Sequence, residues 1–274
     1  MQNTTYSPMS GWSGETARAL RSVAVVGVVA ARGGAGATTV AALLATALAR
    51  RTATVLVDLV GGAGLDVTVG AESVPGPRWP DLVAAGDVPG DQLLAALPRW
   101  GRVALVSADR ARPCLPPPHE VLDRLGEAAG AVVLDLPACD VLAHRAPVAH
   151  ADIVVVVAGR DATSVAGAVA LRAALGPAAA RTGLMACDAR RGRLGLAELE
   201  QSTNLPLLGR VRHDRTLLTS TERGLLRPRR STTRAPDTLA TTVLGARDTR
   251  AGAPGHRQGR VVSARRRPEG RSGA

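Results

Sequence analysis

Three short stretches of this 274-residue sequence carry residue types able to hold a phosphorylated ligand. The first reads Ala31-Arg32-Gly33-Gly34-Ala35-Gly36-Ala37-Thr38-Thr39. Its three glycines let the backbone wrap closely and aim successive N–H groups inward, and a helix starting just after them adds roughly half a positive charge. The other two are single carboxylates, Asp58 and Asp135, which close the aliphatic runs TVLVD and AVVLD. The Thr38 hydroxyl with two carboxylates on neighbouring strand ends is the oxygen-ligand set that a Mg²⁺–nucleotide needs. Each part also has a plainer reading: a Gly-rich turn can simply make a tight corner, and an Asp at a strand end can be solvated or cap the next helix. The standard phosphate-binding loop, GxxxxGK(S/T), wants Gly at 31 and Lys at 37, whereas both positions here are Ala. Losing one such cation costs about 10²–10³ in rate by analogy with oxyanion donors, while binding by backbone amides is untouched. ATP and Mg²⁺ are therefore the expected ligands, and binding is expected to outlast efficient hydrolysis.

The elements that would position these residues alternate strictly. Apolar, β-branched runs at 23–31, 52–59, 101–108, 130–137, 151–159, 181–188 and 205–212 read as buried strands, and Ala/Leu-rich or amphipathic stretches at roughly 38–51, 90–98, 117–129, 161–175 and 195–202 as helices. Continuous apolar strands separated by helices predict an α/β fold of three layers around a mostly parallel sheet of about seven strands. In such sheets ligands bind at the carboxyl edge, where the Gly-rich turn, Asp58 and Asp135 all fall. The Gly- and Pro-rich stretch 60–80 reads as a surface excursion.

Charge divides the chain. Residues 1–226 hold 22 Arg against 20 acids, while residues 227–274 hold 12 Arg against Asp237, Asp248 and Glu269, so the tail carries most of the net +11. With Gly, Pro, Ser and Thr abundant and no apolar helical repeat evident, 227–274 is expected to be a disordered basic tail, 22–226 the folded domain and 1–21 a disordered leader. The tail could meet nucleic acid or an anionic membrane electrostatically.

Composition excludes several classes. Three Trp, one Tyr and no Phe leave little on which to stack bases, against an RNA-recognition sheet or single-strand platform. No lysine occurs, so no mechanism can use one. Cys114, Cys139 and Cys187 form no CxxC pair and read as reduced thiols of a cytoplasmic protein, with no export signal or membrane span visible. The five histidines lack metal-ligand spacing. Asp161 reads as a helix N-cap, and Trp79 as a loop residue packed on the domain.

Taken together, RGGAGATT (32–39) resembles the deviant Walker A motif, xKGGxGKTT, of the MinD/ParA-like P-loop ATPases. VLVDLVGGAGLD (55–66) resembles their second-strand motif and VVLDLP (132–137) their Walker B strand. Within that group, residues 64–82 most resemble the CpaE/TadZ-like branch, which includes actinobacterial proteins called septum-site-determining. The likeness covers roughly 22–224 and implies a P-loop NTPase-like fold. It also implies a dimeric positioning switch for pilus, secretion or septum assembly, recruited to membrane, pole or septum. By position it makes Arg32 the signature cation that reaches a partner's nucleotide, and puts Ala37 in place of the P-loop Lys. Thr38 falls at the Mg²⁺-binding hydroxyl, Asp58 at the switch or water-orienting carboxylate and Asp135 at the Walker B acid, with Val60 replacing a second acid often found there. Two other readings stay open: a pseudo-ATPase scaffold, favoured by Ala37 and Val60, and a binder of nucleic acid or anionic surfaces through the tail.

Overall fold

A computed structural model of the chain describes residues 23–61, 64–114, 116, 119–144, 148, 151–188 and 193–251. The first half runs β1 (Ala24–Ala30), α1 (Ala37–Ala49), β2 (Thr54–Asp58), α2 (Leu65–Val69), α3 (Trp79–Ala84), α4 (Gly90–Ala96), β3 (Arg99–Trp100), β4 (Val103–Val106), α5 (His119–Ala128) and β5 (Ala131–Leu136). The second half adds α6 (Ala138–Leu142), β6 (Ile153–Gly159), α7 (Ala162–Leu175), β7 (Thr182–Cys187), α8 (Leu196–Thr203), β8 (Leu207–Val211), α9 (Arg215–Thr221) and α10 (Arg230–Ala251).

The strands form one sheet in the order β3-β4-β2-β5-β1-β6-β7-β8. All neighbours are parallel except β3, which pairs antiparallel with β4 at Arg99↔Ala104 and Trp100↔Val103. The seven expected strands are present, and β3 is the addition: two residues after Pro98 are too short to show a periodicity. Helices cover both faces. Alternate residues of β1 divide accordingly, Val25 and Val29 joining the core under α3, α4, α5, α7 and α8, and Ala24, Val26 and Val28 the core under α1, α2, α9 and α10. This two-sided burial is why the strands read as unbroken apolar runs.

Two expectations are corrected. The stretch 60–80 is not a bare excursion, since α2 buries Leu65 and Val69 and α3 buries Trp79 and Leu82. Nor is 227–274 disordered throughout, because 230–251 forms the closing helix α10. Its inward residues Thr232, Pro236, Leu239, Ala240 and Val243 recur at helical spacing and lie against α1 and β8. Arg50 pairs with Asp237 at 2.7 Å, Arg51 donates to Thr241 Oγ1 at 2.7 Å, and Arg247 donates to the Gly130 carbonyl at 3.2 Å. A boundary at 226 therefore falls inside the folded unit, whereas the leader 1–21 and the segment 252–274 lie outside the described residues.

Candidate nucleotide site

The site begins where β1 hands over to α1. Gly34 and Gly36 have φ of 73° and 94°, a backbone that side chains disfavour, and Gly36 caps α1 with no side-chain hydrogen bond to its first turn. A β-carbon placed on Gly33, Gly34 or Gly36 would meet nothing within 4 Å. The glycines thus face open space at a helix N-terminus that has no side-chain cap. Ala35 and Ala37 turn inward and are buried, while Thr38 and Thr39 are half-buried.

Register then brings the carboxylates together. β2 and β5 are neighbours, and Asp58 lies directly opposite Asp135. Both are buried to 1% exposure. Asp135 takes a hydrogen bond from the Thr38 hydroxyl, but its Oδ2 is buried without a partner among the described residues. Burial, opposed by the Thr38 bond and reinforced by the neighbouring Asp58 charge, pushes the Asp135 carboxyl up to about 7. Asp58 is also raised, again mainly by burial, but both its oxygens are occupied. Oδ1 accepts from the Val60 and Gly61 N–H groups at 3.0 and 3.1 Å, and Oδ2 from Leu65 N–H at 3.3 Å. Asp58 therefore ties down the loop after β2, while Asp135 presents an unmet acceptor.

Arg32 lies on the far side of the Gly loop and folds back within its own chain. Its guanidinium donates to Ser164 Oγ at 3.1 Å, to Asp161 Oδ2 at 3.1 Å and to the Gly33 carbonyl at 3.1 Å. Asp161 is the N-cap of α7, as its position implied, accepting from Ser164 N–H at 2.9 Å. Burial alone would raise its carboxyl, but the Ser164 and Arg32 hydrogen bonds outweigh it and hold it below the ordinary range. An Arg latched in this way must release Asp161 before it can reach another subunit.

Several residues of this edge escaped sequence reasoning. Ser164 carried a usable signal, three residues after an N-cap Asp. Arg110 and Asp66 did not: the loop after β4 brings Arg110 to the buried Asp66, with Nη1 at 3.0 Å from Oδ1, across 44 residues. Beside them opens a cavity of about 550 Å³, lined by Leu59, Val60, Gly61, Trp79, Arg110 and Asp140 among others. Trp79 does pack on the domain as expected, at 3% exposure, with its ring edge under Gly61. Of the histidines, His119 opens α5, His144 follows α6 and His213 follows β8, while His150 and His256 fall outside the described residues.

A Mg²⁺–phosphate group fits what is present. It needs an anion cradle, which the open Gly loop and uncapped α1 supply, and hard oxygen donors, which Thr38 and the unpartnered Asp135 Oδ2 supply. The β/γ-phosphate cation is lacking at Ala37, whose methyl is 7% exposed.

No family model matches the sequence. A protein of Mycobacterium tuberculosis described only as uncharacterized is 36% identical over 226 residues, 81% of this chain, and the chain spans 63% of that relative's length. Among solved structures, a ParA family ATPase of Chlorobium tepidum superposes with a TM-score of 0.67 at 18% identity, covering 81% of this chain and 98% of that one. A chain of the MinC:MinD cell division protein complex of Aquifex aeolicus gives 0.66 at 19%, covering 81% and 96%. Septum site-determining MinD of Pyrococcus horikoshii, complexed with Mg-ADP, gives 0.62 at 18%, covering 84% and 99%. The fold is thus that of the MinD/ParA P-loop ATPase structures. Among the described residues, no helix is long and apolar enough to cross a membrane.

Proposed function

We propose that the chain is a nucleotide-dependent positioning protein of the MinD/ParA class, in the CpaE-like branch, binding ATP with Mg²⁺ in the loop of residues 32–39. The observation that carries this reading is the unmet, buried Oδ2 of Asp135 beside the Thr38 hydroxyl, at the foot of an uncapped helix and an open Gly loop. In this reading the N–H groups of 33–39 hold the phosphates, Thr38 and Asp135 hold the metal, and Asp58 senses the ligand through the loop it anchors. The bound nucleotide supplies the phosphoanhydride; the chain supplies orientation and exclusion of water. Arg32, once released by Asp161, is the cation available to a second copy of the chain in a symmetric dimer. A MinC:MinD cell division complex among the neighbouring structures supports a positioning role in septum assembly, and the CpaE-like resemblance extends that reading to a pilus or secretion assembly, with recruitment from the cytoplasm to membrane, pole or septum.

Calorimetric titration of Mg-ATP into the full chain tests the reading, with binding at roughly micromolar affinity or weaker expected. No heat and no thermal shift at millimolar Mg-ATP would sink it. A second reading, a scaffold that binds nucleotide but scarcely turns it over, is favoured by the buried methyl of Ala37; the steady-state rate decides it. Sedimentation showing only monomer, with and without nucleotide, would remove the dimer.

A further inference from the structure

The cavity of about 550 Å³ lies outside the residues that would hold the nucleotide. Its walls come from the ends of three strands that are neighbours in the sheet. Leu59 and Val60 follow β2, Arg110 and Pro113 follow β4, Asp140 in α6 follows β5, and Trp79 is added from the start of α3. Open α/β sheets take their ligands in crevices at this carboxyl edge, and the volume is that of a small-molecule pocket.

Arg110 is the polar group that selects an occupant. Its Nη1 is spent on the buried Asp66, at 3.0 Å from Oδ1 and 3.2 Å from Oδ2, which restrains the guanidinium. Nε and Nη2 have no partner among the described residues, and the side chain remains 45% exposed. These two nitrogens share one edge of the guanidinium, the edge that a carboxylate takes with two parallel hydrogen bonds. The acids of the lining are already engaged. Asp109 accepts from Ala111 N–H at 2.9 Å and from Arg112 Nε at 2.7 Å, and Asp140 is likewise partnered. Much of the remaining lining is aliphatic or aromatic, with Leu59, Val60, Pro113 and Trp79. An inorganic anion would meet the Arg110 edge and leave those surfaces wet, whereas an apolar molecule without an acid would leave the edge unused.

We propose that this cavity binds a small organic carboxylate with an apolar body, its carboxylate on the Nε–Nη2 edge of Arg110 and its body against Leu59, Val60 and Trp79. Asp66 is then a positioning residue that holds the guanidinium. The site rests on the cavity alone. Its coupling to nucleotide rests on the nucleotide reading: Val60 and Gly61 line the cavity and give their N–H groups to Asp58 Oδ1, so a molecule against them bears on the carboxylate that neighbours Asp135. Such coupling is reciprocal, each ligand changing the other's affinity by the same factor.

The test uses the full chain and calorimetric titration of phenylacetate, phenylbutyrate and octanoate, each beside its carboxamide, and of inorganic phosphate. At least one carboxylate should bind, about tenfold more tightly than its amide or phosphate. Arg110→Lys keeps a charge for Asp66 but has no such edge, and should cost that carboxylate about tenfold while leaving its amide unchanged. Arg110→Gln should do the same; if its thermal melt shows that it does not fold, the Lys variant decides. Bound carboxylate should also slow iodoacetamide alkylation of Cys114, which lines the cavity, and leave that of Cys139 unchanged, as read by mass spectrometry. No carboxylate bound at millimolar concentration, an amide or phosphate bound as tightly, no response to Arg110→Lys, or no protection of Cys114 would overturn the proposal. Mg-ATP titration of the same samples separates the readings: carboxylate binding without nucleotide binding leaves the site standing and removes the coupling. A carboxylate affinity unchanged by saturating Mg-ATP would also remove the coupling.

Discussion

The tetrapeptide Gly-Gly-Ala-Gly occurs twice at the carboxyl edge of the sheet, at 33–36 after β1 and at 61–64 after β2. The glycines of the two copies have opposite surroundings. At 33–36 an added β-carbon on any of the glycines meets empty space. After β2, a β-carbon on Gly61 would press on the Trp79 ring at 3.1 Å, and one on Gly64 on Asp66 at 2.6 Å. The glycines of the first stretch face open space, whereas Gly61 and Gly64 of the second abut protein and Gly61 N–H is held by Asp58. A glycine facing open space and a glycine packed on protein look alike in sequence; only the neighbours separate them.

Substitutions should break this contrast in a graded order. The largest effect is expected at Gly70, whose φ of 73° and contact with Gly224 exclude a side chain. Gly70→Ala should cost about 3 kcal/mol or more in chemical denaturation. Asp135→Asn comes next. A carboxyl raised from 3.8 to about 7 by burial favours the fold when protonated, and that advantage is lost as pH rises toward 7. The neutral Asn should therefore stabilise the ligand-free protein at pH 8, by an amount of order 2–4 kcal/mol. It should also abolish Mg-nucleotide binding, and wild-type nucleotide affinity should weaken as pH falls below about 7. Stability gained while binding is lost would mark Asp135 as a functional acid.

Ala37→Lys is expected to raise turnover about a hundredfold by restoring the missing cation. An unchanged rate would mean that another group, Arg32 foremost, already stands in for it. The smallest change should come from Gly33→Ala, which has space and no positive φ. Its thermal midpoint should stay within the equivalent of about 0.5 kcal/mol, while Mg-ATP affinity falls because the methyl enters the cradle.

The parallel sheet and the meeting of Thr38, Asp58 and Asp135 were legible because buried strands and their terminal acids leave a local, periodic trace. The closing helix was not. Its buried positions form one narrow stripe, its other faces are Arg and Thr, and Pro236 sits inside it, so composition argued for a tail. Nor were the latch on Arg32 and the Arg110–Asp66 pair visible, since each joins residues far apart in sequence that only the folded sheet edge brings together. Asp58 was legible as a strand-end acid, but its three backbone donors depend on a turn that spacing does not reveal.

The packing of α10 on α1 also sets an order of events on the ribosome. The helix that begins at the Gly loop is made early, and its cover is not complete until residue 251, roughly two hundred residues later. At about 5–20 residues per second, the nascent chain presents the bare flank of α1 for some 10 to 40 s. During that interval the sheet and the Gly loop can form while the domain stays open on one side.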